Sequence, residues 1–265
     1  MPKFFVVSDI HSYYTPLKTA LNEKGFDPNN ENHWLVVCGD VFDRGDESYE
    51  LLKYLMQLER KILIRGNHDD LLEECCQRGH AEWHDTSNGT KKTIFDIGCA
   101  DQVRPFRACC DVTLNKTARY RELLVNYFET KNYIFVHGWI PCEQYGEGYD
   151  PNKPWHQYMK TYKYMSDWRK CNNVEWEAAR WINGIDRALD GIIEPGKTIV
   201  CGHWHCSLGH FYDSKAKISE FGKNAIWEPW YHDGCIAIDR CTAHTGEVNV
   251  LVLEDEFLEG YDGNN

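Results

Sequence analysis

Five short runs constrain this chain more than any other feature: FFVVSD (4–9), WLVVCGD (34–40), KILIRGN (61–67), YIFVHG (133–138) and TIVCGH (198–203). Each is apolar without alternation and rich in β-branched or aromatic residues, the pattern of a strand buried on both faces. Each then runs into Gly, Asp, Asn or His, where a strand stops. Two further runs, CIAID (235–239) and VNVLVL (248–253), lack such an ending and read as plain sheet strands. Helical spacing appears over 14–24 (Tyr14, Leu17, Leu21), 48–58 (Leu51, Leu52, Leu55, Leu58) and 118–129 (Tyr120, Leu123, Leu124, Tyr127, Phe128), and 68–78 is expected to continue as a helix after the third strand. Strands alternating with helices imply βαβ units and a mostly parallel α/β sheet. In such sheets reactive groups gather beyond the carboxyl ends of the strands, so the five polar ends are expected to converge on one crevice.

At 265 residues the chain accommodates one large α/β domain, expected over 1–253. Within it, residues of about 139–191 read as an insertion rich in tryptophan (Trp139, Trp155, Trp168, Trp176, Trp181) and proline (Pro141, Pro151, Pro154). Such a segment serves either as a lid or substrate wall, or as a satellite core packed by indoles. The tail 254–265, EDEFLEGYDGNN, is acidic and is expected to fray. A net charge of −12 argues against a partner such as duplex nucleic acid, which demands clustered cations. No apolar stretch reaches the length of a membrane span, and the run in MPKFFVVSDI is too short for an export segment. Twelve cysteines contain no C-x-x-C pair, which excludes a Cys-rich zinc site and leaves free thiols in a reducing cytoplasm as the expectation.

Each polar strand end has an ordinary explanation by itself. Asp9 and His11 suit a turn and a surface imidazole; Gly39-Asp40-Val41-Phe42-Asp43-Arg44-Gly45 suits a tight loop; Asn67 and His68 suit a helix start. His137-Gly138 and Gly202-His203-Trp204-His205 complete the set. Five strands ending in Asp, His and Asn within one chain are harder to dismiss. Asp9, Asp40 and Asn67 succeed one another at roughly 30 residues, about one βα unit, which returns them to one sheet edge. All are oxygen or nitrogen ligands. A carboxylate such as Asp40 has two oxygens and can bridge two cations, and a pair of cations about 3.5–4 Å apart suits displacement at phosphorus.

The order D-x-H, G-D-x-x-D-R-G, G-N-H-D, H-G, G-H-x-H resembles the calcineurin-like metallophosphoesterases. The D-R-G ending resembles the branch holding the serine/threonine phosphoprotein phosphatases, their bacterial and phage relatives, and the symmetrical diadenosine tetraphosphatases. That resemblance implies a sandwich of two mixed, largely parallel-cored β-sheets flanked by helices. It implies Asp9, His11 and His205 as ligands of a first metal, Asn67, His137 and His203 of a second, and Asp40 as the bridge. It makes His68 the general acid, Asp43 the carboxylate that orients it, and Arg44 the group that grips phosphate, with Asn67 also near substrate. Arg180, in Glu177-Ala178-Ala179-Arg180-Trp181, matches a second substrate arginine on pattern alone. Three departures leave the metal ligands intact and the substrate open: Asp69 stands where the phosphoprotein phosphatases have Glu, Trp139 follows His137-Gly138, and a second histidine, His205, closes the last motif.

The expected activity is hydrolysis of a phosphoric ester by a metal-bridging hydroxide without a phosphoenzyme. A phosphomonoesterase similar to serine/threonine protein phosphatases leads, with a diadenosine tetraphosphate or other nucleotide hydrolase as its rival. A metal-binding scaffold without catalysis is the reading from another class. The partner is accordingly a phosphorylated protein, peptide or nucleotide. The cofactors are two divalent ions, manganese as the working choice, with iron, zinc, cobalt or nickel compatible with the same ligands.

Overall fold

The computed structural model describes residues 1–148, 159–214 and 218–259. Its strands are β1 (Lys3–Val7), β2 (His33–Cys38), β3 (Lys61–Ile64), β4 (Leu124–Val125), β5 (Phe128–Glu129), β6 (Tyr133–Phe135), β7 (Glu143–Gly148), β8 (Met159–Lys163), β9 (Thr198–His205), β10 (Trp230–His232), β11 (Cys235–Asp239) and β12 (Leu251–Glu254). They form two five-stranded sheets, ordered β12-β1-β2-β3-β4 and β10-β11-β9-β6-β5, and a separate β7-β8 ribbon. Strands β1 to β4 pair in parallel, as do β6, β9 and β11; β12, β10 and β5 run antiparallel at the edges.

The apolar runs alternate between two cores, which is why they show no polar face. Phe4, Val6, Val36, Cys38, Ile62 and Ile64 point inward against Phe135, Val200, Ile236 and Ile238 of the other sheet. Their neighbours Phe5, Val7, Leu35, Val37 and Leu63 point outward, beneath helices. Those helices are α1 (Tyr14–Glu23), α2 (Ser48–Gln57), α3 (Asn67–Arg78), α4 (Trp83–Asn88), α5 (Thr90–Gly98), α6 (Phe106–Lys116) and α7 (Ala118–Glu122). On the outer face of the second sheet lie α8 (Asn173–Ala179), α9 (Gly184–Leu189) and α10 (Cys206–Asp213); α11 (Thr242–Thr245) follows β11. The four-layered sandwich expected from the resemblance is present.

Three local expectations are corrected. The helix over 118–129 stops at Glu122, and the chain continues as β4 and β5. Leu123 and Leu124 pack on the first outer core, Val125 and Phe128 lie between the sheets, and Tyr127 joins the second outer core. No single helix face reaches three cores, so the segment unwinds as it crosses from one sheet to the other. In 248–253 only Leu251 onward is strand. The tail is docked as far as Phe257: Asp255 accepts from the Asn132 amide, and Phe257 packs edge-on against Phe4 and Trp34. Residues 260–265 of the expected fraying tail lie outside the described residues.

Within 139–191, Trp139, Trp168 and Trp176 are buried in the outer core of the second sheet, together with Ile134, Ile199 and Ala237 of its strands. Trp181 is half exposed, and Trp155 lies outside the described residues. No described helix is long and apolar enough to cross a membrane.

Candidate metal centre

At the strand ends the backbone takes conformations that side chains other than glycine seldom adopt. Asp9, His11, Ser12, Asp40, Asp43, Arg44 and His203 all have positive φ, and Cys241 beside them does too. Each such residue is held against a local cost of about 1 kcal/mol or more. The constraint comes from mutual hydrogen bonds: the amides of His11 and Ser12 donate to the carbonyls of Asp40 and Val41 at 3.0 and 2.7 Å, and Gly45 N–H donates to His11 O at 2.9 Å. Gly66 is required by proximity, since a Cβ there would lie 2.2 Å from Asp40 Oδ1. That contact lets β3 deliver Asn67 and His68 beside the end of β2.

Asp40 is the hub. Its Oδ1 lies 3.3 Å from His137 Nε2, whereas Oδ2 lies 3.8 Å from His11 Nε2 and 3.9 Å from His68 Nε2. The carboxylate thus belongs to two clusters of potential metal ligands: His11, Asp40, His68, and Asp40, His137, His203. The imidazoles are oriented from behind. His11 Nδ1–H donates to Phe42 O and His137 Nδ1–H to Cys38 O, both at 2.9 Å, which leaves each Nε2 with its lone pair facing the hub. His137 Nε2 then meets Asn67 Oδ1 at 2.8 Å. With the Asp40 oxygen alongside, these atoms form a compact set of nitrogen and oxygen donors. The donor set therefore fits a divalent metal.

Electrostatics sort the histidines. Burial, then the Arg44 charge, holds the His11 pKa well below the ordinary value; burial and His137 take His203 down to about 3. Both stay neutral, as ligands must. His68 moves the other way: burial disfavours its charge, but the Asp40 carboxylate and the Asp43 hydrogen bond outweigh that and raise its pKa. Burial likewise opposes the Asp40 charge, yet neighbouring imidazoles, His137 and then His68 foremost, hold its carboxyl below the usual range. Burial and the Asp40 charge push Asp9 up to about 7.

His68 is held from its Nδ1 side. Its Nδ1–H donates to Asp43 Oδ2 at 2.7 Å, and Asp43 in turn accepts from Thr90 Oγ1 at 2.6 Å and Thr93 Oγ1 at 3.0 Å. Gly89 brings α5 close enough for this, because a Cβ there would sit 2.2 Å from Arg44 N. The exposed Arg44 places Nη2 3.5 Å from His68 Nε2, so two N–H donors converge where an anion would lie. Thr90→Val should lower kcat about tenfold and leave metal content unchanged. Equal turnover of variant and wild type would mean that Asp43 does not rely on this hydroxyl.

A cavity of about 170 Å³ opens here, lined by Asp9, His11, Asp40, Arg44, Asn67, His68, Trp181 and His203 among others. Asp9 is anchored by the His203 amide, which donates to its Oδ2 at 2.9 Å. Two expected residues face elsewhere. His205 Nε2 lies 2.9 Å from Glu220 Oε1, so the ring pairs with that carboxylate and does not line the cavity. Arg180 is buried and donates from Nε to Asp70 Oδ2 at 2.7 Å and from Nη1 to Asn126 Oδ1 at 3.1 Å. It borders a neighbouring cleft of about 780 Å³ rather than the metal cavity. Asp239, at the end of β11, does line the cavity, and burial with the nearby Asp9 charge pushes its carboxyl up to about 8. Its signal was visible: CIAID ends in an aspartate, like the strands that were singled out. Thr90 and Thr93 carried no such signal.

Comparison with known proteins agrees with this geometry. The family model for calcineurin-like phosphoesterases matches residues 2–207. A symmetrical bis(5'-nucleosyl)-tetraphosphatase of Pseudomonas fluorescens is 42% identical over 138 residues, 52% of this chain and 43% of that protein. Its counterpart in Pseudomonas entomophila is 30% identical over 142 residues, 52% of this chain and 42% of that protein. The matched stretch thus spans less than half the length of these relatives. Among solved structures, the cold-active protein-tyrosine phosphatase of a Shewanella species superposes with a TM-score of 0.51 at 17% identity, covering 96% of this chain and 76% of that one, a likeness of fold.

Proposed function

The chain belongs to the calcineurin-like phosphoesterase family, and from that premise we propose that it is a two-metal phosphoric ester hydrolase. The observation that carries the reading is Asp40, whose two oxygens face separate ligand clusters. Asp9, His11 and Asp40 would hold one ion, with Asp239 close by, and Asp40, Asn67, His137 and His203 the other. Two divalent ions so bound supply an activated water and offset charge on the phosphoryl oxygens. The remaining work falls to the chain. Arg44 presents a planar fork to two phosphate oxygens. His68 holds a proton at Nε2 for the leaving oxygen, and Asp43 keeps that ring charged and aimed.

For the substrate we favour a dinucleoside polyphosphate, the rival reading of the motifs. The names of the two Pseudomonas relatives support it, and so does the half-exposed Trp181 at the cavity, a flat surface for a base. A phosphomonoester, including phosphoserine or phosphothreonine peptides, is the second reading. It is supported by the D-R-G motif and by a cavity that admits little beyond a phosphoryl group. Manganese, and a cytoplasmic setting, belong to the same proposal. The test is a substrate panel assayed with manganese-loaded protein. Diadenosine tetraphosphate should be cleaved with a kcat/KM at least about tenfold above that for phosphopeptides or p-nitrophenyl phosphate. The opposite order would transfer the assignment to the phosphomonoesterase reading, and inactivity on all of them would end it.

A further inference from the structure

The five cysteines gathered beneath α3, α5 and α6 take no part in the chemistry above, and they are not equivalent. Cys75, Cys76, Cys109 and Cys110 are buried, whereas Cys99 at the end of α5 is partly exposed. Cys99 Sγ and Cys109 Sγ are 2.9 Å apart, inside the contact distance of two unbonded sulfurs, and both thiols point at the Arg104 carbonyl. The helices meet backbone to backbone here, for a Cβ on Gly98 would lie 2.7 Å from Cys109 Cα. Bonding these sulfurs requires a further approach of under about 1 Å.

We propose that Cys99 and Cys109 form a reversible intrachain disulfide, the oxidant being a low-molecular-weight disulfide. The exposed thiol reacts first. Cys99, as thiolate, attacks the small disulfide, forming a mixed disulfide and releasing one small thiol. Cys109 then loses its proton and attacks Cys99 Sγ, closing the protein disulfide and expelling the second small thiol. Two protein thiols and one small disulfide thus become one protein disulfide and two small thiols. Burial pushes the Cys109 thiol up to about 12, so it is a poor first nucleophile and reacts only within the encounter that its neighbour creates.

The bond would fasten the far end of the helix whose first turn holds Asp43 through Thr90 and Thr93. It closes a short loop, and a Tm rise of about 4–8 °C is expected on oxidation.

The test equilibrates the full chain with glutathione disulfide and glutathione, quenches in acid, and alkylates the remaining thiols. A loss of two hydrogens is expected, with a cross-link joining the tryptic peptides 93–107 and 108–116. Cys99→Ser, at the partly exposed position, should fold normally and abolish the link; Cys110→Ser should retain it. Persistent glutathione on Cys99 in the wild type, a link from Cys76 to Cys110, or no oxidation under conditions that oxidise dithiothreitol would each overturn the proposal. None of these readouts depends on hydrolytic activity, so failure here is distinct from failure of the functional reading.

Discussion

Asp40→Asn is expected to empty the centre of both ions and to lower kcat/KM by at least about a thousandfold, which corresponds to about 4 kcal/mol of transition-state stabilisation. The amide keeps the shape of the side chain and one acceptor, so the His68 N–H bond to Oδ1, at 3.0 Å, survives. It loses the charge and the second anionic oxygen. Those are what allow one side chain to face His137 on one side and His11 on the other. The substitution also removes repulsion between Asp9 and Asp40, which contributes to the raised Asp9 pKa. The metal-free variant should therefore melt within a few degrees of metal-free wild type. Metal analysis, turnover and calorimetry on the same preparations separate lost binding from lost folding. A variant retaining two ions per chain and ordinary turnover would refute the role given to Asp40.

His68→Asn should leave metal content intact while kcat falls about 10²–10⁴-fold on substrates with poor leaving groups. With p-nitrophenyl phosphate, whose leaving group departs without protonation, the loss should be far smaller. That contrast marks a proton donor, whereas loss of a metal ligand would affect both substrates and the metal content alike. The pH profile gives an independent check. The His68 pKa is raised, so the charged, donating form persists above the ordinary histidine range and is lost as pH rises through the shifted value. Wild-type kcat should show that descending limb, and the variant should lack it. Uniform loss on both substrates together with lost metal would reassign His68 as a ligand.

Much of the centre was legible because a strand buried on both faces has a sharp sequence signature and its end is where side chains re-enter solvent. Asp9, Asp40, Asn67, His137 and His203 were found this way, and the fold brings them together. Asp239 obeys the same rule, but it ends a run followed by Arg240-Cys241 with no glycine or histidine beside it, so its signal is the weakest of the set. Thr90 and Thr93 were not legible: a threonine in an amphipathic helix looks alike whether it supports a buried carboxylate or merely fills space. The pairing of His205 with Glu220 joins residues fifteen positions apart, on either side of α10, and no local pattern encodes it. Arg180 shows the same limit, for the carboxylate it meets is Asp70 of α3, 110 positions away in sequence. The segment 118–129 was misread because helical spacing cannot distinguish one face from three separate cores.

The residues around the proposed centre do not come from one sheet. Asp9, His11, Asp40 and Asn67 follow strands of the first sheet, whereas His137, His203 and Asp239 belong to the second. Elsewhere these layers are held by interdigitated apolar side chains, which tolerate small slippage; at this end they would share ions. Such a pair would act as a rivet through the sandwich, and affinity for it would be drawn on as cohesion between the layers. A chelator would then do more than silence the centre: it would let the two halves breathe at the end where substrate enters.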